Sequence, residues 1–156
     1  MRLEGSLEVR SQPTECLRRL RDPSWLSQCL PGLYSFECKE PGIFSATFYL
    51  DLTQLSQLAG YLTRVRAEMS FRYEDAGNDI VKLVGEGRVV GTKIRLTIIV
   101  RISPSEAGSL LNWQADADLG LVQRLLGENL IKKVAEHQIQ RLTQCLSERL
   151  STPQQL

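Results

Sequence analysis

Up to residue 118 most of the chain alternates apolar and polar positions. That period of two marks strands, because successive side chains on a strand point to opposite faces. In the first segment the odd positions Leu3, Gly5, Leu7 and Val9 are small or apolar, and the even positions Arg2 to Arg10 are polar. The clearest case runs from Val65 to Glu74, where Val65, Ala67, Met69, Phe71 and Tyr73 alternate with Arg66, Glu68, Ser70, Arg72 and Glu74. Tyr34, Phe36 and Cys38 predict a strand ended by Pro41-Gly42, followed by one with Phe44, Ala46, Phe48, Leu50 and Leu52 inward. After a hairpin turn at Ala76 to Asp79, a weaker strand runs from Ile80 to Gly87. Ile94 to Ile102 marks the next, and Leu111, Trp113, Ala115 and Ala117 the last.

Two segments break this rhythm. Pro13 suits the first turn of a helix through Cys16, Leu17 and Leu20, and a second short helix carries Trp25, Leu26, Cys29 and Leu30 until Pro31-Gly32 stops it. After Gly120 the period becomes helical, with Val122, Leu126, Leu130 and Val134, then Ile139, Leu142, Leu146 and Leu150, on one stripe. Read as one helix with Gly127 in its interior, it spans about 45 Å at ~1.5 Å per residue. The order is strand, two short helices, six strands, long helix. Nearly every strand is apolar on one side, so the sheet has a single dry face and the long helix must cover it. The expected fold is α+β: a strongly curved antiparallel sheet of about seven strands around a C-terminal helix. One domain is expected over residues 1–151, with a polar tail at 152–156.

The totals narrow the class. A chain of 156 residues buries a core without staples, and a net charge of +1 argues against a dedicated nucleic-acid binder. No apolar run suggests a signal peptide or a membrane span. Cys16, Cys29, Cys38 and Cys145 have no C-x-x-C spacing and read as reduced, mostly buried small hydrophobes. The expectation is a cytoplasmic protein.

Several segments together resemble the G-subunit family of carbon monoxide dehydrogenase, a branch of the START-like, helix-grip superfamily. They are Leu3 to Val9 followed by Pro13, then Asp22-Pro23, Leu30-Pro31-Gly32, Gly85-Glu86-Gly87, and Trp113 to Asp116 with Gly120. The resemblance spans about Met1 to Leu150. It implies a sheet gripping a helix around an apolar cavity, and a non-enzymatic accessory of a molybdenum-containing dehydrogenase. Such accessories are associated with membrane recruitment and quinone handling, so a peripheral contact with the inner face of the membrane is part of the expectation. Unlike some relatives, this chain ends in a polar tail, and its Thr53–Gly60 linker bears leucines where glycines are usual.

Most residues with chemical potential have a plainer role at hand. Gly85, Gly87 and Gly91 miss the dinucleotide spacing by one residue and precede a strand, so they read as places where a strand bends closely over the helix. His137 lacks a partner acid, nucleophile or second metal ligand. Asp116 and Asp118 share an outward face with Asn112 and Gln114, which indicates a wet surface. Arg18, Arg19, Arg21, Arg64, Arg66 and Arg72 read as a solvated face. The inward residues carry more weight. Phe48, Met69, Phe71, Trp113, Leu126 and Leu130 are the expected cavity lining, with Leu55, Leu58 and Gly120 at its mouth. The expected function is binding of a hydrophobic small molecule, a quinone or lipid, with no catalytic residues, metal or cofactor. The alternatives are a helix-grip enzyme of cyclase or dehydratase type, or a protein-binding adaptor with a filled interior.

Overall fold

The computed structural model describes residues 1–52 and 64–151. Its order is β1 (Arg2–Val9), α1 (Pro13–Leu20), α2 (Pro23–Leu26), a 3-10 turn (Ser27–Cys29), β2 (Leu33–Glu40), β3 (Ile43–Asp51) and β4 (Arg64–Glu74). Then follow β5 (Ile80–Val89), β6 (Thr92–Pro104), β7 (Ser109–Asp118), α3 (Val122–Leu126) and α4 (Glu128–Ser151). The Thr53–Gly60 linker, with Leu55 and Leu58, and the tail at 152–156 lie outside the described residues.

Local chemistry accounts for the short helices. Proline occupies the first turn of both α1 and α2, where its missing N–H breaks no bond. The Asp22 carboxylate caps α2 by accepting from the Ser24 N–H at 3.0 Å. The seven strands form one antiparallel sheet in the order β1-β7-β6-β5-β4-β3-β2. β2 to β7 therefore form a meander, while α1 and α2 carry the chain from one sheet edge to the other. The β5–β6 turn is two residues long. Val90 and Gly91 both have positive φ, 51° and 74°, as the twist of a tight hairpin requires. Gly91 is thus a turn residue.

Parity fails in β2. A register irregularity between Leu33 and Ser35 inserts a residue, so Leu33 and Phe36 both pack on the core. Tyr34 between them is thrown outward, 72% exposed, with its ring edge-on to Tyr49. Tyr34 and Phe36, which the alternation puts on one face, therefore lie on opposite sides. Gly87 does permit a close approach, but to the adjacent strand. A Cβ there would stand 2.0 Å from the Glu68 carbonyl oxygen.

The long helix is not continuous. Gly127, at φ 83° and ψ 146°, separates α3 from α4, and a Cβ at Gly127 would meet nothing within 4 Å. The glycine serves the backbone and ends α3, where the sequence pattern predicts one continuous helix with Gly127 in its interior. The 24 residues of α4 span about 36 Å. Its C-terminal end is held where the Ser11 N–H donates to the Leu150 carbonyl at 2.9 Å, and Leu150 is fully buried.

The interior falls into two clusters. One, around Cys16, Leu20, Phe44, Phe71 and Leu150, lies under α1. The other joins Leu52, Val65, Val89, Val122 and Leu130 at the α3 end. Phe48 and Ile94 pack against both.

Candidate functional site

Between the two clusters, the sheet and α4 enclose a cavity of about 320 Å³. Phe44, Phe71 and Leu83 approach it from the first cluster, and Leu52, Val65 and Val122 from the second. Of the lining expected from the sequence, Phe48, Met69, Phe71, Leu126 and Leu130 all face this space. Trp113 does not. Its register partner on β1 is Gly5, and a Cβ on Gly5 would meet the indole at 2.7 Å. The ring uses the glycine as a seat on the edge strand, away from the cavity.

The space exists because side-chain volume is missing from its walls. Ala67, Ala115 and Ala117 line it from β4 and β7, and Ala135 from α4. Alanines at inward strand positions are the signal in the sequence that marks this space. Gln138 is the only residue with a polar side chain among the described lining. Its amide Nε2 donates to the Pro31 carbonyl at 3.0 Å, so one of its two N–H bonds is turned to the wall. No carboxylate, imidazole or guanidinium belongs to the described lining.

At the α3 end, a Cβ on Gly120 would lie 3.3 Å from the Lys93 carbonyl oxygen. The start of the helical region is thereby placed beside the β5–β6 hairpin. Leu119 and Val122, on either side of Gly120, line the cavity. One face of α3 turns inward with Val122 and Leu126. Leu121 and Leu125 turn outward, 59% and 60% exposed, and Val90 on the hairpin is 50% exposed.

The remaining candidates are engaged elsewhere. Asp116 accepts from the Arg2 guanidinium at 2.7 Å, which, with Gln114, holds its carboxyl below the usual range. Asp118 accepts from the Gly120 N–H at 3.2 Å. Arg18 and Arg19 converge on Glu15, while Arg21 donates to the carbonyls of Gly77 and Ile80. Arg66 and Arg72 pair with Glu68 and Glu74, and Arg64 stands over the Tyr49 ring at 4.4 Å. His137 lies on α4, partly exposed. Among the described residues no group of three side chains is arranged to hold a metal, and no helix is long and apolar enough to cross a membrane.

The cysteines depart most from expectation. Cys29 and Cys145, 116 residues apart in sequence, form a disulfide with their Cα atoms 5.5 Å apart. Cys38 is exposed and only Cys16 is a buried free thiol. Sequence spacing could not show this pair, because only the fold brings the 3-10 turn against α4.

Comparison with known proteins supports this architecture. A conserved protein from Geobacillus kaustophilus is 18% identical, with 96% of this chain and 95% of that one covered and a TM-score of 0.77. A START superfamily protein from Mycobacterium smegmatis is 13% identical, with 96% of each chain covered and a TM-score of 0.68. A protein from Thermus thermophilus is 17% identical, with 96% and 97% covered and a TM-score of 0.65. At such identities these likenesses speak for the fold alone, which is START-like. No curated protein matches the chain. The family model for the G subunit of carbon monoxide dehydrogenase, CoxG, matches residues 5–151, and the chain belongs to that family.

Proposed function

We propose that this protein is a non-enzymatic accessory that binds a hydrophobic small molecule, a quinone or lipid, and serves a molybdenum-containing dehydrogenase of the carbon monoxide dehydrogenase type. The observation that carries this reading is the cavity of about 320 Å³, whose described lining is apolar except for Gln138. Apolar walls of this kind favour apolar guests, whose surface leaves water on binding. The lack of an ionisable side chain in the described lining favours binding over catalysis, since acid–base work needs a titratable side chain within reach. Family membership supplies the dehydrogenase partner. In this reading the protein works in the cytoplasm, and no cofactor is needed.

The same geometry limits how a quinone can sit. The isoprenoid tail fits the apolar space, whereas the ring carbonyls find only the Gln138 amide among the side chains of the described lining. About 300 Å² of buried ligand surface at ~25 cal/mol/Å² gives about 7 kcal/mol gross. Ordering costs reduce this to micromolar affinity or weaker. The α3 end, with Leu121, Leu125 and Val90 outward, is the mouth in this reading and touches the membrane surface peripherally.

Two measurements test it. Mass spectrometry of an organic extract, with titration by a displaceable fluorescent apolar probe, should show a one-to-one ligand, and Ala117→Leu should weaken it. Unchanged binding in Ala117→Leu, or no saturable binding of any quinone or fatty acid, defeats the carrier reading. Leu125→Asp should slow transfer of the probe to vesicles without changing its affinity. Equal transfer rates would remove the α3 end as the mouth.

A further inference from the structure

One side of the cavity wall is a seam between α4 and a single short segment. Arg149 donates to the Gln28 side-chain oxygen, Cys145 is bonded to Cys29, and Gln138 donates to the Pro31 carbonyl at 3.0 Å. The helix positions descend 149, 145, 138 while the segment ascends 28, 29, 31, so the two run in opposite senses, with the contacts spread over about 16 Å of the helix. Leu30, Pro31, Gln138 and Leu142 all line the cavity. The seam is therefore part of the wall, and the disulfide is its one covalent link.

The two ends of α4 differ. The C-terminal end is fixed by buried Leu150 and its bond from Ser11. The N-terminal end is packed by Leu130 and Ile131 but begins at Gly127, which has positive φ and open space where a Cβ would be. With the disulfide open, the stretch from Glu128 to Cys145 has a pivot at its start, the packing of Leu130 and Ile131 in its first turn, and side-chain hydrogen bonds along the seam.

We propose that the Cys29–Cys145 disulfide is a redox latch on the cavity wall. Oxidised, it closes the seam and retains the guest; reduced, it lets α4 part from Leu30-Pro31 and the guest exchange. This rests on reading the cavity as a ligand site. The reductant is a dithiol. Its thiolate attacks the sulfur of Cys145, which is half-buried while Cys29 is only 4% exposed. Cys29 leaves as a thiolate and takes a proton. The second thiol of the reductant then attacks the mixed disulfide and releases Cys145, which is protonated in turn. Two electrons pass to the protein, and the reductant ends as a cyclic disulfide. In a reducing compartment such a bond is transient, which suits a latch better than a permanent staple.

The test is hydrogen–deuterium exchange on the full chain, oxidised, reduced with dithiothreitol, and as Cys29→Ser/Cys145→Ser. Thiol alkylation confirms each state, with Cys38 as the internal free-thiol control. Amides of residues 130–145 should exchange about tenfold faster in the reduced protein and the double variant, with β4 to β7 unchanged. Release of N-phenyl-1-naphthylamine should accelerate by a similar factor. Exchange in α4 within twofold between states overturns the latch. So does an equal acceleration throughout the sheet, which would make the disulfide a staple of the whole fold, or a pair that stays alkylatable after oxidation. A probe that binds in neither state, with the α4 contrast intact, overturns the carrier reading and leaves the seam motion standing.

Discussion

Replacing Gly127 with alanine decides whether the break between α3 and α4 is real. In an unbroken helix alanine is more stable than glycine by about 1 kcal/mol, so the substitution would raise stability. In the structure Gly127 has φ 83° and ψ 146°, close to a region that only glycine occupies readily. A Cβ there meets nothing within 4 Å, so no clash contributes and the whole effect is backbone strain. That strain amounts to about 1–3 kcal/mol. For a chain of this size each kcal/mol shifts Tm by ~2–4 °C, so a fall of about 2–12 °C is expected. Thermal unfolding followed by circular dichroism at 222 nm and by calorimetry reads the shift. The sign is the test. A rise of a few degrees, with added helix signal, would mean that α3 and α4 are continuous in solution, and the pivot required by the redox latch would be gone.

The other expectations concern close packing and one part-buried hydroxyl. Gly87→Ala should lower Tm more than Gly85→Ala, because its Cβ would strike the Glu68 backbone at 2.0 Å, whereas at Gly85 the nearest atoms belong to the Phe71 ring; the reverse order in thermal melts would contradict this. Tyr73→Phe should cost about 0.5–1.5 kcal/mol, since the part-buried hydroxyl donates to the Leu20 carbonyl at 2.7 Å. Burial, with Asp22 nearby, pushes the Tyr73 hydroxyl upward. Its stabilisation is therefore present below the ordinary tyrosine value of about 10 and lost as pH rises above it. Urea denaturation across that range should show the alkaline loss in the native chain and a smaller one in the variant.

The sheet and its order were legible because period-two patterning is redundant. Each of Val65, Ala67, Met69 and Phe71 votes for the same face, and all four are buried. Failures came where one residue changes the geometry without changing the pattern. The irregularity at Leu33/Ser35 turns Tyr34 outward, yet Tyr34 sits in register with Phe36 in the sequence. Gly127 interrupts no apolar repeat, since Val122, Leu126, Leu130 and Val134 continue through it, and its φ is invisible to periodicity. Trp113 occupies an inward position like Ala115 and Ala117, but Gly5 on the neighbouring strand draws the ring aside. The disulfide depends on the approach of segments 116 residues apart, which no local signal encodes.

The cavity itself is the feature hardest to explain as mere packing. Wall atoms around a cavity of about 320 Å³ lack the packing partners that larger side chains would give them, and lost contacts of that kind cost stability. Larger side chains at Ala67, Ala115, Ala117 or Ala135 would recover part of it, so the alanines keep a space that stability alone would close. A guest that fills the space returns the lost contacts, and mass action then raises the stability of the loaded protein. Ala117→Leu should consequently move two quantities in opposite directions. Three added carbons at ~0.8 kcal/mol each stabilise the ligand-free protein by up to about 2 kcal/mol, while the same atoms occupy room that the ligand needs. A variant with lower Tm and unchanged binding would mean that residue 117 faces a tight, already filled wall, and the space would be a packing defect with no guest.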